Sequence, residues 1–266
     1  MGVKTPLSLT QAQKLFASYH ITALHPTKDG VMDTTYIAEA KDGAYIIKKY
    51  ERNITHKISF DAQLLDTLSR SGLCVPKLLA QNKQWYLYTK LEGKSPKHIT
   101  LAHMQKLGQT LAKMHSITDS IQTQKPFLEN YPLKEILQQH KAKHFFYYKK
   151  LVPLQDTKLK NDGFIHGDIF KDNTLFSKKR LCIFDFIDGG SGSFAFELGV
   201  VLLSFNPHAR RSFTRLLLQS YNQHAAKKIS LRELETHCKT AAKLYALLRI
   251  NHTQNTKRAK ELVKLC

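Results

Sequence analysis

Apolar and polar positions alternate along this chain in blocks of different period. In SLTQAQKLFASYH, Ala12, Leu15, Phe16 and Tyr19 recur at helical spacing behind a cap at Ser8 or Thr10, which predicts a short opening helix. GVMDTTYIAEA and AYIIKKYE then read as strands. Lys41-Asp42-Gly43 between them is a hairpin signal, because Asp-Gly tolerates the left-handed torsions of a tight turn. From Lys57 to Ser71 the apolar residues Ile58, Phe60, Leu64, Leu65 and Leu68 return to a helical period, closed by Gly72 and Val75-Pro76. QWYLYTKL reads as a further strand, and LEGKSPKHIT, broken by Gly93 and Pro96, reads as a connector. Beyond it HMQKLGQTLAKMHSI and KEILQQHKAKHFFYY predict helices, residues 164–186 a strand-loop-strand module, and the stretch from Phe194 onward helices again. This order predicts an α+β fold of two unequal lobes: a small mixed lobe with an antiparallel sheet over 1–92, and a larger, mainly helical lobe over 93–266.

Composition narrows the class. Hydrophobic residues make up 42% and charged residues 23%, an ordinary globular balance. The opening MGVKTPLSLTQAQ lacks the apolar core of a signal peptide, and no run approaches the ~18 apolar residues of a span, so a cytoplasmic protein without a membrane partner is expected. Met-Gly at the start would suit myristoylation, but Pro6 stands where that pattern wants Ser or Thr. Cys74, Cys182, Cys238 and Cys266 are widely spaced with no C-x-x-C pair, so reduced thiols are expected rather than a zinc site or disulfide framework. The formal charge is +20, yet Lys and Arg occur as scattered doublets and not as blocks, which predicts a solvated basic surface and no nucleic-acid partner.

The chemistry is concentrated in FIHGDIFKDNTLF (164–176) and LCIFDF (181–186). Phosphoryl transfer to a hydroxyl needs one carboxylate to orient the acceptor and accept its proton, and hard oxygen ligands to hold magnesium on the β- and γ-phosphates. In kinase loops an Asn follows the catalytic Asp by five residues, and a second metal-binding Asp ends a nearby short strand. Asp168, Asn173 and Asp185 satisfy that spacing. Any one of them alone could be a turn residue; their joint spacing between apolar strands favours the catalytic reading. His166, two residues before Asp168, is expected to brace the loop. Asp185 is followed by Phe186-Ile187 and no A-P-E motif, which argues against a protein kinase.

With these residues the chain resembles, over essentially its full length, the aminoglycoside phosphotransferase and choline kinase superfamily, whose members carry HGDxxxxN and a nearby D-F or D-W. HGDIFKDNTLF looks especially like the kinase-like bacterial homoserine kinases. The resemblance implies a bilobal protein kinase-like fold, ATP and magnesium as cofactors, nucleotide binding in 1–92, and catalysis and acceptor binding in 93–266. It implies that Asp168 is the catalytic base with His166 beside it, and that Asn173 and Asp185 hold the metal. Lys48 in YIIK would reach the α- and β-phosphates while Lys49 faces away, since strand side chains alternate. Asp61 in FDAQLLDTL is the nearest acidic partner for Lys48. Gly30 marks the phosphate-covering turn DGVMDTTYI, where Thr34 and Thr35 would supply contacts, and Tyr88 to Leu91 is the hinge that would meet adenine. His115 is expected to pack, and Glu197, standing where the family has Asp, to cap local backbone.

The acceptor is read from charge as well as resemblance. The last 67 residues hold only three acids, Glu233, Glu235 and Glu261, against many cations including Arg210, Arg211, Arg215 and Arg249. A polycationic antibiotic would want a carboxylate-rich groove, so a small hydroxylated metabolite that is zwitterionic or anionic is expected, with homoserine first. Choline, ethanolamine, thiamine or a sugar remain alternatives, choline because HFFYYKK is aromatic-rich. A kinase-like fold kept as an inactive basic binding module is the alternative of another class, and the intact Asp168, Asn173, Asp185 and Lys48 argue against it.

Overall fold

The computed structural model describes residues 3–27, 32–141, 145–178, 180–252 and 256–265. The chain divides into two compact units, Met1–Gly93 with Cys182–Ile187, and Lys94–Leu181 with Asp188–Cys266.

The first unit opens with α1 (Leu9–Leu15), held by a capping box in which Ser8 and Gln11 bond each other's backbone. A five-stranded antiparallel sheet follows, formed by β1 (Ile21–Pro26), β2 (Thr34–Ala40), β3 (Gly43–Lys49), β4 (Leu78–Asn82) and β5 (Trp85–Thr89) in the order β1-β2-β3-β5-β4. α2 (Thr55–Arg70) lies between β3 and β4 in sequence and buries Ile58, Asp61, Leu64, Leu65 and Leu68. The Asp42-Gly43 turn pairs Ala40 with Gly43 and so fixes Thr34 opposite Lys49 and Thr35 opposite Lys48. That register sorts the side chains. Thr34, Tyr36, Ala38 and Ile47 are buried on one face, packed with Leu7, Ala12, Phe16, Ile21 and Leu87. Burying each large aliphatic side chain of this set contributes about 1.5–3 kcal/mol.

Two of the five strands escape the sequence pattern, and both are edges. β1 buries only Ile21 and carries Pro26, while β4 alternates between half-buried and exposed positions. Edge strands that bury so few of their side chains show little apolar alternation.

The expectation of four separate thiols is corrected: Cys74 and Cys182 form a disulfide with their Cα atoms 4.4 Å apart. The two are 108 residues apart, so no local motif announces them; they meet because Cys74 bridges in parallel to the strand β8 (Leu181–Ile183), where Ile183 N–H donates to the Cys74 carbonyl at 2.9 Å. Closing so long a loop stabilises by about 2–4 kcal/mol.

The second unit is mainly helical. It holds α3 (Leu101–Thr118), α4 (Leu133–His140), α5 (Phe145–Leu151), α6 (Phe194–Phe205), α7 (Arg211–His224), α8 (Leu231–His252) and α9 (Thr256–Val263), with the short strands β6 (Gly163–Ile165), β7 (Thr174–Phe176) and β9 (Gly190–Gly192). α3 packs along α7 and α6 along α8. The α3–α7 approach needs Gly108, where a Cβ would stand 2.6 Å from the Leu217 carbonyl. Every residue of α6 is buried, which places it at the centre of this unit, as an all-round apolar helix requires. No helix among the described residues is long and apolar enough to cross a membrane.

Candidate active site

In the first unit the β2–β3 register puts Asp33 on the same side of the sheet as Lys48, opposite the core face. Lys48 Nζ lies 2.6 Å from Asp185 Oδ1 and 3.6 Å from Asp33 Oδ2, and 4.6 Å from the centre of the Tyr50 ring. Burial alone would push the lysine pKa down; the charges of Asp185 and Asp33 outweigh it, and the net shift is upward. Lys48 therefore stays charged. Asp33 also accepts the Glu51 N–H at 3.1 Å and sits 3.5 Å from Arg52. Asp33 takes the place expected for Asp61. Asp61 is buried on α2, where its charge contributes to raising the pKa of both Tyr50 and Tyr88.

Lys49 points the other way, as alternation requires, and binds Thr5 Oγ1 at 2.8 Å and Glu51 at 3.4 Å. Thr34 belongs to that same core-facing set. Its hydroxyl is fully buried, donates to Glu51 at 2.6 Å and accepts the N–H groups of Lys4 and Thr5, so it is committed to the N-terminal segment. Tyr88 lies buried on β5, its hydroxyl 3.1 Å from that of Tyr50; only its backbone remains for a nucleotide base. Leu91 is half-buried in an otherwise exposed stretch after β5, and Gly30 lies outside the described residues. Asp185 adopts a left-handed φ of 71°, rare for a residue with a side chain and common at functional turns.

In the second unit buried β6 delivers the chain into His166-Gly167-Asp168. Gly167 has φ 77°, and a Cβ there would meet the Phe127 ring at 2.0 Å, so only glycine fits. The N–H and carbonyl groups of Gly167 and Asp168 all have partners. The Gly167 N–H donates to Glu197 Oε1 at 2.6 Å, and the Gly167 carbonyl accepts from the Tyr245 hydroxyl. The Asp168 N–H donates to His166 Nδ1 at 3.1 Å, and the Asp168 carbonyl accepts from Phe170 N–H and Asn173 Nδ2, both at 2.8 Å. Asn173 Nδ2 also lies 2.9 Å from Asp168 Oδ2. The Asp168 side chain itself is half-buried, accessible to an acceptor.

Glu197 is held in turn. Its Oε2 lies 2.9 Å from His115 Nε2, His115 Nδ1 lies 2.9 Å from the Tyr221 hydroxyl, and the His115 ring stacks on Phe194 at 4.0 Å. His115 thus packs and also completes a polar chain running Tyr221–His115–Glu197–Gly167. A buried carboxylate is tolerated only when so satisfied.

Each unit by itself offers hard oxygen donors. Asn173 spends its amide nitrogen on Asp168, which leaves its oxygen as the atom for a metal, and Asp185 offers carboxylate oxygen. Among the described residues no cluster of three or more His, Cys, Asp or Glu could hold a metal unaided. A magnesium ion shared with phosphates needs only one or two protein oxygens.

Sequence reading missed Asp33 and Tyr245. Asp33 was within reach: the Asp-Gly turn fixes the register, and the register puts position 33 on the face of Lys48. Tyr245 follows Asp168 by 77 residues, within the apolar run LYALL of α8, and no local signal marks it.

The phosphotransferase enzyme family model matches residues 24–234 of this chain. A homoserine kinase from Polaromonas naphthalenivorans (strain CJ2) is 25% identical over 228 residues, covering 76% of this chain and 72% of that protein. The apoenzyme of a macrolide 2'-phosphotransferase from Brachybacterium faecium superposes with a TM-score of 0.68 at 17% identity, covering 97% of each chain. An amicoumacin kinase solved with AMP-PNP, Ca2+ and its antibiotic superposes with a TM-score of 0.70 at 16% identity, covering 96% of this chain and 92% of that one. These neighbours share the protein kinase-like α+β fold.

Proposed function

Since the chain belongs to the phosphotransferase enzyme family, we propose that it moves the γ-phosphoryl group of ATP, with magnesium, onto the hydroxyl of a small zwitterionic metabolite, homoserine. The observation that carries the reaction type is the Asp168 carboxylate, half-exposed in a loop where the N–H and carbonyl groups of Gly167 and Asp168 are all hydrogen-bonded, with the Asn173 amide 2.9 Å away. Asp168 orients the acceptor hydroxyl and takes its proton. Lys48 pairs with the nucleotide phosphates, exchanging Asp185 for them as its anionic partner. Asn173 and Asp185 would hold the magnesium, which supplies charge neutralisation on the β- and γ-phosphates. The backbone from Tyr88 to Leu91 meets the adenine.

Homoserine is favoured by two independent supports. The HGDIFKDN loop resembles homoserine-type kinases, and the relative from Polaromonas carries that name. The acid-poor C-terminal helices suit an acceptor with a carboxylate, which an arginine binds through paired hydrogen bonds. Arg249, four residues beyond Tyr245 on α8 and so on the same helical face, is the arginine assigned to that carboxylate. We place the reaction in the cytoplasm, whose reducing poise would favour the dithiol form of Cys74 and Cys182.

The test is an ADP-release assay with magnesium across homoserine, choline, ethanolamine, thiamine, a hexosamine and kanamycin. Homoserine should give the highest kcat/KM and kanamycin essentially none, because a site built to pair a carboxylate leaves a charge unsatisfied when the ligand lacks one. A panel led by choline or kanamycin would overturn the acceptor and leave the phosphotransferase standing.

A further inference from the structure

We propose that Tyr245 is a positioning residue for phosphoryl transfer, fixing through its hydroxyl the peptide plane that aims the Asp168 carboxylate. The inference rests on the reading of Asp168 as the base. The peptide between Gly167 and Asp168 is the last one before that carboxylate, and it is held at both ends. Its N–H donates to His166 Nδ1 at 3.1 Å, and its carbonyl accepts from the Tyr245 hydroxyl. The preceding plane is held separately, by Glu197 on α6.

Gly167 makes the second clamp necessary. With φ at 77° and no side chain, it sits where a peptide plane can rotate with little steric penalty, so hydrogen bonds must supply the rigidity that a Cβ would otherwise give. Tyr245 is suited to the task. It is 5% exposed, its ring packs edge-on against Phe170 at 4.7 Å, and it projects from the 22-residue helix α8. Burial, and after it the charge of Asp168, hold its pKa well above that of an ordinary phenol, so it is a permanent neutral donor. That O–H thus holds the carbonyl of the very peptide plane that carries the Asp168 carboxylate. A purely packing role would need the ring and not the oxygen.

Tyr245→Phe keeps the ring and removes the donor. Misplacing a catalytic group by about 1 Å costs on the order of 10²-fold in rate, so kcat should fall about 10–100-fold while KM for ATP stays within about twofold. The decisive measurement is a double-mutant cycle with Asp168→Asn. If Tyr245 acts through Asp168, adding Tyr245→Phe to Asp168→Asn costs nothing more. Replacing Tyr245 with p-aminophenylalanine, an N–H donor of similar shape, should restore kcat to within about threefold of the natural protein. It also serves as the probe should Tyr245→Phe fold poorly, because an oxygen-independent packing role would leave it no better than phenylalanine. Additive losses in the cycle, a loss confined to KM, or no rescue by the amine would overturn the proposal. A deeply impaired Asp168→Asn beside an unaffected Tyr245→Phe sinks Tyr245 alone. An active Asp168→Asn sinks the base assignment itself.

Discussion

The two units hold their functional side chains by opposite means. In the first, Lys48 is fixed by charge: two carboxylates at 2.6 and 3.6 Å, on a flexible four-carbon stem. In the second, Asp168 is fixed by backbone, with the peptide groups on both sides of Gly167 and the Asp168 carbonyl itself hydrogen-bonded. The difference would suit the two tasks proposed for these residues. A phosphate-binding lysine must trade partners when an anion arrives, and an ion pair lets it exchange Asp185 for phosphate at modest cost. A general base must not move while the acceptor changes charge, so its rigidity belongs in peptide planes and buried polar chains rather than in a long side chain.

The largest expected effect comes from removing the proposed base that the hydrogen-bonded backbone carries. Asp168→Asn should keep nucleotide binding and lose transfer by about 10²–10⁴-fold, the usual worth of a positioned general base. Turnover measured beside nucleotide affinity decides it. A parallel loss of both would mean that the loop serves binding rather than chemistry, and the contrast between the units would collapse.

A smaller effect tests the charge-held side. Lys48→Ala should lower kcat/KM for ATP by about 10²-fold, as loss of one preorganised charge donor does, and Asp33→Asn by less because Asp185 remains. Lys49→Ala should leave kcat/KM near that of the natural protein, since Lys49 faces Thr5 and Glu51 on the core side of β3. Equal losses at 48 and 49 would show that strand alternation does not decide which lysine meets the phosphates.

The same contrast explains what was legible beforehand. Asp168, Asn173 and Asp185 lie within eighteen positions, on one loop and on the turn just past one short strand, so their spacing survives in the sequence. The inner strands β2, β3 and β5 were legible because one of their faces is buried; the edges β1 and β4 were not. The supports of the site were hidden for a different reason. Tyr245, Glu197 and His115 come from three helices, and what brings them to Gly167 is the packing of those helices. Cys74 and Cys182 were hidden likewise, joined by topology across 108 residues. Asp33 is the intermediate case, a non-local partner that an Asp-Gly turn makes computable.

The smallest effect probes the charge-held unit through pH. Burial would raise the Glu51 pKa, but the hydroxyls of Thr34 and Thr5 and the Lys49 ammonium overcome it, and the net shift is downward. A carboxylate with a folded pKa below its unfolded one, about 4.3 for Glu, stabilises at every pH above that unfolded value. The contribution is lost as pH falls through the lower, folded value. Thermal melts of the natural protein and Glu51→Gln should therefore differ most near pH 6–7 and converge toward pH 3. Because Glu51 ties Thr5 and Thr34 together, the variant should loosen the N-terminal segment and leave the backbone clamps around Asp168 untouched. Hydrogen exchange at the Lys4 and Thr5 amides, both donors to Thr34, should rise in Glu51→Gln at neutral pH while exchange at the Gly167 amide stays the same. Faster exchange at Gly167 would mean that the two ways of holding a functional residue are coupled through the fold rather than independent.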